Sequence, residues 1–177
     1  VTLNLFTPSR IRAVQRIVPG IKRLALIFNP EDNQIYQKVI RSFAQVEGME
    51  AVPVEVFSES EIRPALKTAV EKADAFYFIP DSTVITPAIV KYIIKYGLSH
   101  AKPTIGYNRF FYESGALLSF RADYTGVGRQ VAEMVRQFLE SGSCRSENPR
   151  AELLYNEKAA ELLNIEINRK ALPPENP

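Results

Sequence analysis

Apolar stretches of strand length alternate with amphipathic stretches of helix length almost from one end of the chain to the other. That order predicts a parallel sheet covered by helices, an α/β fold. Strands are expected over Arg23–Phe28, Ala51–Phe57, Ala73–Ile79, Thr104–Tyr107, Gly115–Phe120 and Glu152–Tyr155. Several are apolar on both faces, as buried parallel strands are. The second differs, because Val52, Val54 and Val56 alternate with Pro53 and Glu55. Proline cannot donate to a sheet ladder, so this strand belongs near an edge.

Between the strands lie helices with explicit start and stop chemistry. Thr7-Pro8 opens a helix to about Val18, and Asn33 to Val46 repeats Ile35, Val39, Phe43 and Val46 at helical spacing before Gly48 stops it. Ser58-Glu-Ser-Glu61 fits a capping box, in which hydroxyl and carboxylate satisfy each other's free backbone amides. Ile62, Leu66 and Val70 then form the buried stripe. Thr86-Pro87 starts a helix whose Ile89, Val90, Ile93 and Ile94 face the sheet until Gly97. A last long helix, from about Thr125 to Glu140, gathers Val127, Val131, Met134, Val135 and Phe138 on one side. The Pro-rich end from Leu172 reads as a frayed tail.

Composition narrows the chemistry. With 177 residues, 46% hydrophobic and 24% charged, the chain suits one ordinary α/β domain that buries roughly 70% of its unfolded surface. Twenty-two Lys and Arg against 20 Asp and Glu leave a net charge of +2, which gives no electrostatic reason to expect nucleic acid or an anionic membrane as partner. A single cysteine, Cys144, excludes an internal disulfide, and a single histidine, His100, argues against a zinc site. No apolar run approaches the roughly 20 residues that span a bilayer. Val1 in place of Met reads as a processing boundary, which leaves room for a removed export signal.

In an open parallel sheet, ligands bind outside the carboxyl ends of the strands, where loops converge and helix N-termini aim free N–H groups outward. The candidate binding residues are therefore those that follow the strands: Asn29, Asp32 and Asn33 after the first, Asp81, Ser82 and Thr83 after the third, Tyr107 and Asn108 after the fourth, and Asp123 after the fifth. Such side chains fix an ammonium, a carboxylate or an amide while aromatic rings enclose an apolar body. The same residue types also cap helices and form Asx turns, so the cluster carries more weight than any member. An Asp81 carboxylate directly after an apolar strand suits a ligand ammonium.

Catalytic readings fare worse. A serine or cysteine nucleophile needs a base, and His100 sits at the end of a surface helix as a solvated cap. Gly126-Val-Gly128-Arg lacks the third glycine of a dinucleotide loop and follows the wrong strand. A phosphoacceptor arrangement would need a lysine after a strand, but Lys102 precedes one. No catalytic residue, metal or cofactor is expected.

Four segments, in order, resemble one family: Ile17-Val-Pro-Gly-Ile-Lys-Arg-Leu-Ala-Leu-Ile-Phe-Asn-Pro30, Ala73-Asp-Ala-Phe-Tyr-Phe-Ile-Pro-Asp-Ser-Thr83, Gly115-Ala-Leu-Leu-Ser-Phe with Asp123-Tyr-Thr-Gly-Val-Gly-Arg-Gln130, and Asn156-Glu-Lys-Ala-Ala-Glu-Leu-Leu-Asn-Ile165. They are similar to the substrate-binding proteins of ABC transporters related to tryptophan and tyrosine uptake. The resemblance implies a type I periplasmic-binding-protein fold, with two Rossmann-like lobes joined by three crossovers and ligand held between them. This chain would cover the second lobe only, with its parallel sheet and helices on both faces. Residues 1–121 and 150–167 would form that lobe, 122–149 a crossover and a helix belonging against a missing first lobe, and 168–177 a tail.

By the same resemblance, the loop Asn29 to Asn33, the Asp81-Ser-Thr83 turn and Tyr107-Asn108 would face the cleft, with Asp123 near the last crossover. The implied function is non-catalytic solute binding for an ABC importer, outside the cytoplasm, periplasmic or lipid-anchored. The implied partners are a small amino-acid-like ligand, aromatic ones included, and a permease. The apolar face of the helix over 125–140, deprived of its lobe, would be covered by a homodimer. Two departures leave the ligand's identity open: the first loop reads Glu-Asp-Asn where relatives carry more serine, and Gly126 replaces a bulkier residue. A sensory or regulatory metabolite-binding domain of the same fold is the alternative, and a flavodoxin-like enzyme the more distant one.

Overall fold

The alternation of apolar and amphipathic stretches folds into one six-stranded sheet in a computed structural model that describes residues 6–31, 33, 35–144 and 148–173. In chain order the elements are α1 (Pro8–Ile17), β1 (Arg23–Phe28), α2 (Ile35–Phe43), β2 (Glu50–Glu55), α3 (Glu59–Lys72), β3 (Ala75–Tyr77), α4 (Pro87–Ser99), β4 (Thr104–Gly106), α5 (Arg109–Glu113), β5 (Leu118–Ala122), α6 (Tyr124–Ser141), β6 (Ala151–Tyr155) and α7 (Glu157–Leu163), followed by a 3₁₀ turn at Arg169–Ala171. The strand order is β2-β1-β3-β4-β5-β6.

Strands β1 to β5 are parallel, so their carboxyl ends share one rim of the sheet. β2 occupies the edge, where Pro53 opposite Leu26 costs no ladder bond on its open side. β6 departs from the uniformly parallel expectation: it runs antiparallel to β5, from Leu118 opposite Tyr155 to Ala122 opposite Ala151. The chain leaves β5 at the carboxyl rim, forms α6, and re-enters the sheet from that same rim. A strand that returns from the side it left must run backwards.

Along β1 the pleat sends Leu24, Leu26 and Phe28 to one face and Ala25 and Ile27 to the other. The first face packs against Ile11, Val14 and Ile17 of α1, Val39 and Phe43 of α2, and Ala159 and Ala160 of α7. The second packs against Ile62 and Leu66 of α3, Val90, Ile93 and Ile94 of α4, and Phe111 of α5. Helices therefore cover both faces.

Several boundaries differ from the sequence reading. Ala73 ends α3 as its C-cap rather than opening β3, and Asp74 turns its carboxylate onto the amides of Lys22 and Arg23. β5 starts at Leu118 rather than Gly115, because Gly115 makes a turn at φ +104° and Ala116 still bonds to Phe111 of α5. That short helix escaped the reading because five residues show no period. The Ser58 box forms only in part: Glu61 accepts from the amide of Phe57 at 3.0 Å, while the Ser58 hydroxyl donates to Glu61 instead of capping an amide. The residues after α7 are not loose as far as 172, because Asn168 donates to the carbonyl of Ile17 at 2.9 Å and Leu172 packs on the core.

α6 stands apart from this packing. Among its described side chains Val131, Val135, Phe138 and Leu139 are 43%, 52%, 55% and 79% exposed. Its attachment comes at one end, where Gln130 bonds to the backbone of Asn148 and Arg150.

Candidate functional site

Asn29 ends β1 and Asp81 follows β3, its neighbour in the sheet, so the two loops meet at the carboxyl rim. The Asp81 carboxylate, 6% exposed, is their shared anchor. Its Oδ2 accepts from the backbone N–H of Asn29 at 2.8 Å and from the side-chain amide of Asn33 at 2.8 Å. Its Oδ1 accepts from the N–H of Thr83 at 3.0 Å. Asn29 in turn donates its side-chain amide to Thr83 Oγ1 at 3.2 Å and accepts from Glu31 N–H, while Asn33 donates also to the carbonyl of Pro80 and accepts from the first amides of α2, Ile35 and Tyr36. A carboxylate desolvated this far is stable because three donors surround it. Asx turns and loop anchoring are therefore part of what these residues do.

The remaining candidates line the same rim. Tyr107 follows β4, and its ring packs on Phe111 at 4.6 Å and edge-on against Phe6 at 5.9 Å. Its hydroxyl is buried with no hydrogen-bond partner among the described residues. Burial first, and the negative charge of Asp81 second, push this phenol up to about 12. Asn108 caps α5 through Phe111 N–H, and its own carbonyl accepts the Ser119 hydroxyl at 2.6 Å. Asp123 caps α6 through Gly126 N–H at 2.8 Å. Ser82 is exposed in the Asp81 turn, and Asp32 lies outside the described residues. Thus Asn29, Asn33, Asp81 and Thr83 form one bonded group, while Tyr107, Asn108 and Asp123 follow along the rim strand by strand.

Two residues at this rim were not singled out from the sequence. Phe6 sits just before α1 and contacts both Tyr77 and Tyr107. Arg10 is 7% exposed in the first turns of α1. The signal for Arg10 was its spacing, since 10, 14 and 17 fall on one helical stripe with Val14 and Ile17 and place a cation among apolar positions. His100, by contrast, is the exposed C-cap of α4, stacked on Tyr96 at 4.1 Å, as its position in the sequence suggests.

Among the described residues no group of acidic, His or Cys side chains is placed to hold a metal ion. The chemistry these side chains offer is that of hydrogen bonds and ring surfaces. One hollow of 290 Å³ lies among Val18, Pro19, Ile21, Asp74 and Pro103 at the amino ends of the strands, and another of 390 Å³ lies among Glu59, Ile62, Arg63, Ile89 and Tyr92 between the first turns of α3 and α4.

A mostly parallel sheet sandwiched by helices, with polar side chains gathered past the strand ends, defines the α/β class in which small molecules are recognised at that edge. Residues 5–173 match the family of ABC transporter substrate binding proteins, and the chain belongs to that family. A tyrosine-binding protein from Clostridioides difficile is 23% identical over 135 residues, which cover 75% of this chain and 39% of that protein. The fold is shared with the ABC domain in complex with L-Trp from Streptococcus pneumonia (TM-score 0.69, 20% identity, 93% of this chain and 57% of the other). It is shared also with the ligand-free, open structure of a substrate binding protein with adhesive properties from Clostridium difficile (TM-score 0.71, 17% identity, 94% and 58%). The chain thus spans between about two fifths and three fifths of these relatives.

Proposed function

We propose that this chain is the second lobe of a two-lobed solute-binding protein serving an ABC importer, and that its carboxyl rim is half of the ligand cleft. The observation that carries the reading is the convergence of Asn29, Asn33, Asp81 and Thr83 in one bonded group, with Tyr107, Asn108 and Asp123 after the neighbouring strands of the same rim. Asn33, Asp81 and Asn108 on opposite rims would have removed the basis for it. The bonded group holds the loops rigid, and rigid loops keep the ligand's partners in place before it arrives.

Residues 1–121 and 150–167 make up this lobe, and α6 seats the first lobe on its exposed apolar face. The ligand is a small amino-acid-like molecule with an aromatic side chain, in keeping with the tyrosine that one relative is named for and the L-Trp held in the structure of another. Nothing is transformed. Ligand contacts on both lobes stabilise a closed form, which a permease distinguishes from the open one. The work takes place outside the cytoplasm.

The test is calorimetric titration of L-tyrosine and L-tryptophan into the natural chain that contains these residues and into residues 1–177 alone. A micromolar dissociation constant corresponds to about 8 kcal/mol. The longer chain is expected to reach it, and the shorter one, with about half the contacts, to bind at least a hundredfold more weakly. Equal affinity of the two would show that the rim is not half of a clamp.

A further inference from the structure

Two side-chain donors near this rim have no acceptor among the described residues: Nη1 of Arg10 and the hydroxyl of Tyr107. Arg10 is more than nine-tenths buried, and none of the described ion pairs includes it. Its Nη2 donates to the carbonyl of Pro149 at 3.2 Å, and its guanidinium carbon lies 5.9 Å from the centre of the Phe120 ring. Phe120 belongs to the strand that runs out to the carboxyl rim, and Pro149 lies where the chain comes back from it. Arg10 therefore sits where the chain crosses this edge three times, near residues 6–7, 122–123 and 149–150. Phe6, one turn ahead of it, packs between Tyr77 and Tyr107 at 6.0 and 5.9 Å.

A buried cation without a carboxylate is costly, because water has been removed and no counter-charge replaces it. Burial pulls the guanidinium below its ordinary value, and the nearby Tyr77 offsets this only in part. Asp81 accepts three N–H groups, and one side-chain oxygen of each of Asn29, Asn33, Asn108 and Asp123 accepts a backbone amide. A buried cation with a spare N–H beside these engaged oxygens favours a ligand that brings negative charge over one that brings only an ammonium.

We infer that the ligand of this rim is a small carboxylate, with its negative oxygens taken by the Arg10 guanidinium and a second acceptor of the same molecule taken by the Tyr107 hydroxyl. The inference rests on reading the rim as a ligand half-site and deepens it by assigning the anchoring charge. Both donor atoms are enclosed, so the anion reaches them as the three crossing segments part, and binding is coupled to their movement.

The experiment uses the natural chain that contains these residues, with three carboxylates, L-tyrosine, L-tryptophan and phenylacetate, and their counterparts without the carboxylate, tyramine, tryptamine and phenylacetamide. At least one carboxylate is expected to bind and its counterpart to bind at least tenfold more weakly, the scale of one charge-assisted hydrogen bond. Arg10→Gln is expected to weaken that carboxylate at least tenfold, Arg10→Lys less, and Tyr107→Phe several-fold. Arg10→Lys keeps the charge, so it serves if Arg10→Gln fails to fold. A counterpart that binds as tightly as its acid, an unaltered affinity in the Arg10 variants, or binding by none of the six overturns the inference. Hydrogen exchange separates it from its premise. Protection at residues 29–33 and 81–83 with unaltered Arg10 variants sinks the inference alone, and protection confined elsewhere sinks the half-site as well.

Discussion

Asn33 and Asp81, 48 residues apart in the chain, are joined by a hydrogen bond of 2.8 Å from side-chain amide to carboxylate. The bond ties the loop after β1 to the loop after β3 and sets the shape of the rim. Asp81→Ala would leave the N–H of Asn29, the N–H of Thr83 and the Asn33 amide without their acceptor in a place where water is nearly excluded. Unpaired buried donors cost about 1–3 kcal/mol each before relaxation. Urea denaturation is expected to show a loss of about 3 kcal/mol, with Asp81→Asn losing less because it keeps one acceptor oxygen. A loss under about 0.5 kcal/mol would mean that the loops hold their shape without this carboxylate.

Within α6 two glycines two positions apart have opposite roles. A Cβ on Gly126 would stand 2.0 Å from Asp123 Oδ2, where the cap of the helix has to be. A Cβ on Gly128 would meet nothing within 4 Å. Gly126→Ala is therefore expected to expel Asp123 from its capping position and destabilise the chain by about 1–2 kcal/mol. Gly128→Ala is expected to stabilise it by up to about 1 kcal/mol, as alanine does in an open helix interior. Thermal melting of both variants checks the pair, and shifts of the same sign would contradict it.

Much of this architecture was legible because it rests on local chemistry. Thr86-Pro87 announced α4, and Thr86 does cap it by accepting from Ile89 N–H. Pro53 announced an edge, and β2 is one. The antiparallel course of β6 was not legible, since strand direction depends on where the preceding connection goes and not on the five residues Ala151–Tyr155. The candidate residues were found through the rule that ligand groups follow parallel strands, which sees the side chains of loops. It does not see Arg10, which enters the rim from a helix, or that Asp81 would arrive with its acceptor sites already engaged.

The Tyr107 phenol predicts a response to alkali. Its value in the folded chain is pushed up to about 12 by burial and by Asp81, against about 10 in an unfolded chain. Below pH 10 the phenol is neutral in both states and contributes nothing to the pH dependence. Between about 10 and 12 the unfolded chain loses the proton first, so stability falls as pH rises. Stability measured by urea from pH 8 to 11.5 is expected to decline above 10, and Tyr107→Phe to soften that decline. Because the buried hydroxyl has no partner among the described residues, the same substitution is expected to raise stability at pH 7 by up to about 1 kcal/mol. An equal slope in both proteins would show that Tyr107 titrates normally.

The apolar side of α6 gives the last expectation. Val131, Val135 and Phe138 recur at helical spacing on a helix whose only buried residue is Gly126, and each is more than two fifths exposed. Contiguous apolar surface of this kind seldom stays in water, so residues 1–177 on their own are expected to cover it with a second copy. Val135→Lys with Phe138→Glu places charges on that side. These side chains touch little of the chain's own core, so folding stability should change by less than about 0.5 kcal/mol. Light scattering at tens to hundreds of micromolar is then expected to show association of residues 1–177 and its loss in the double variant. A wild-type chain that is monomeric over that range, with scattering equal to the variant's, would mean that the exposed face needs no partner.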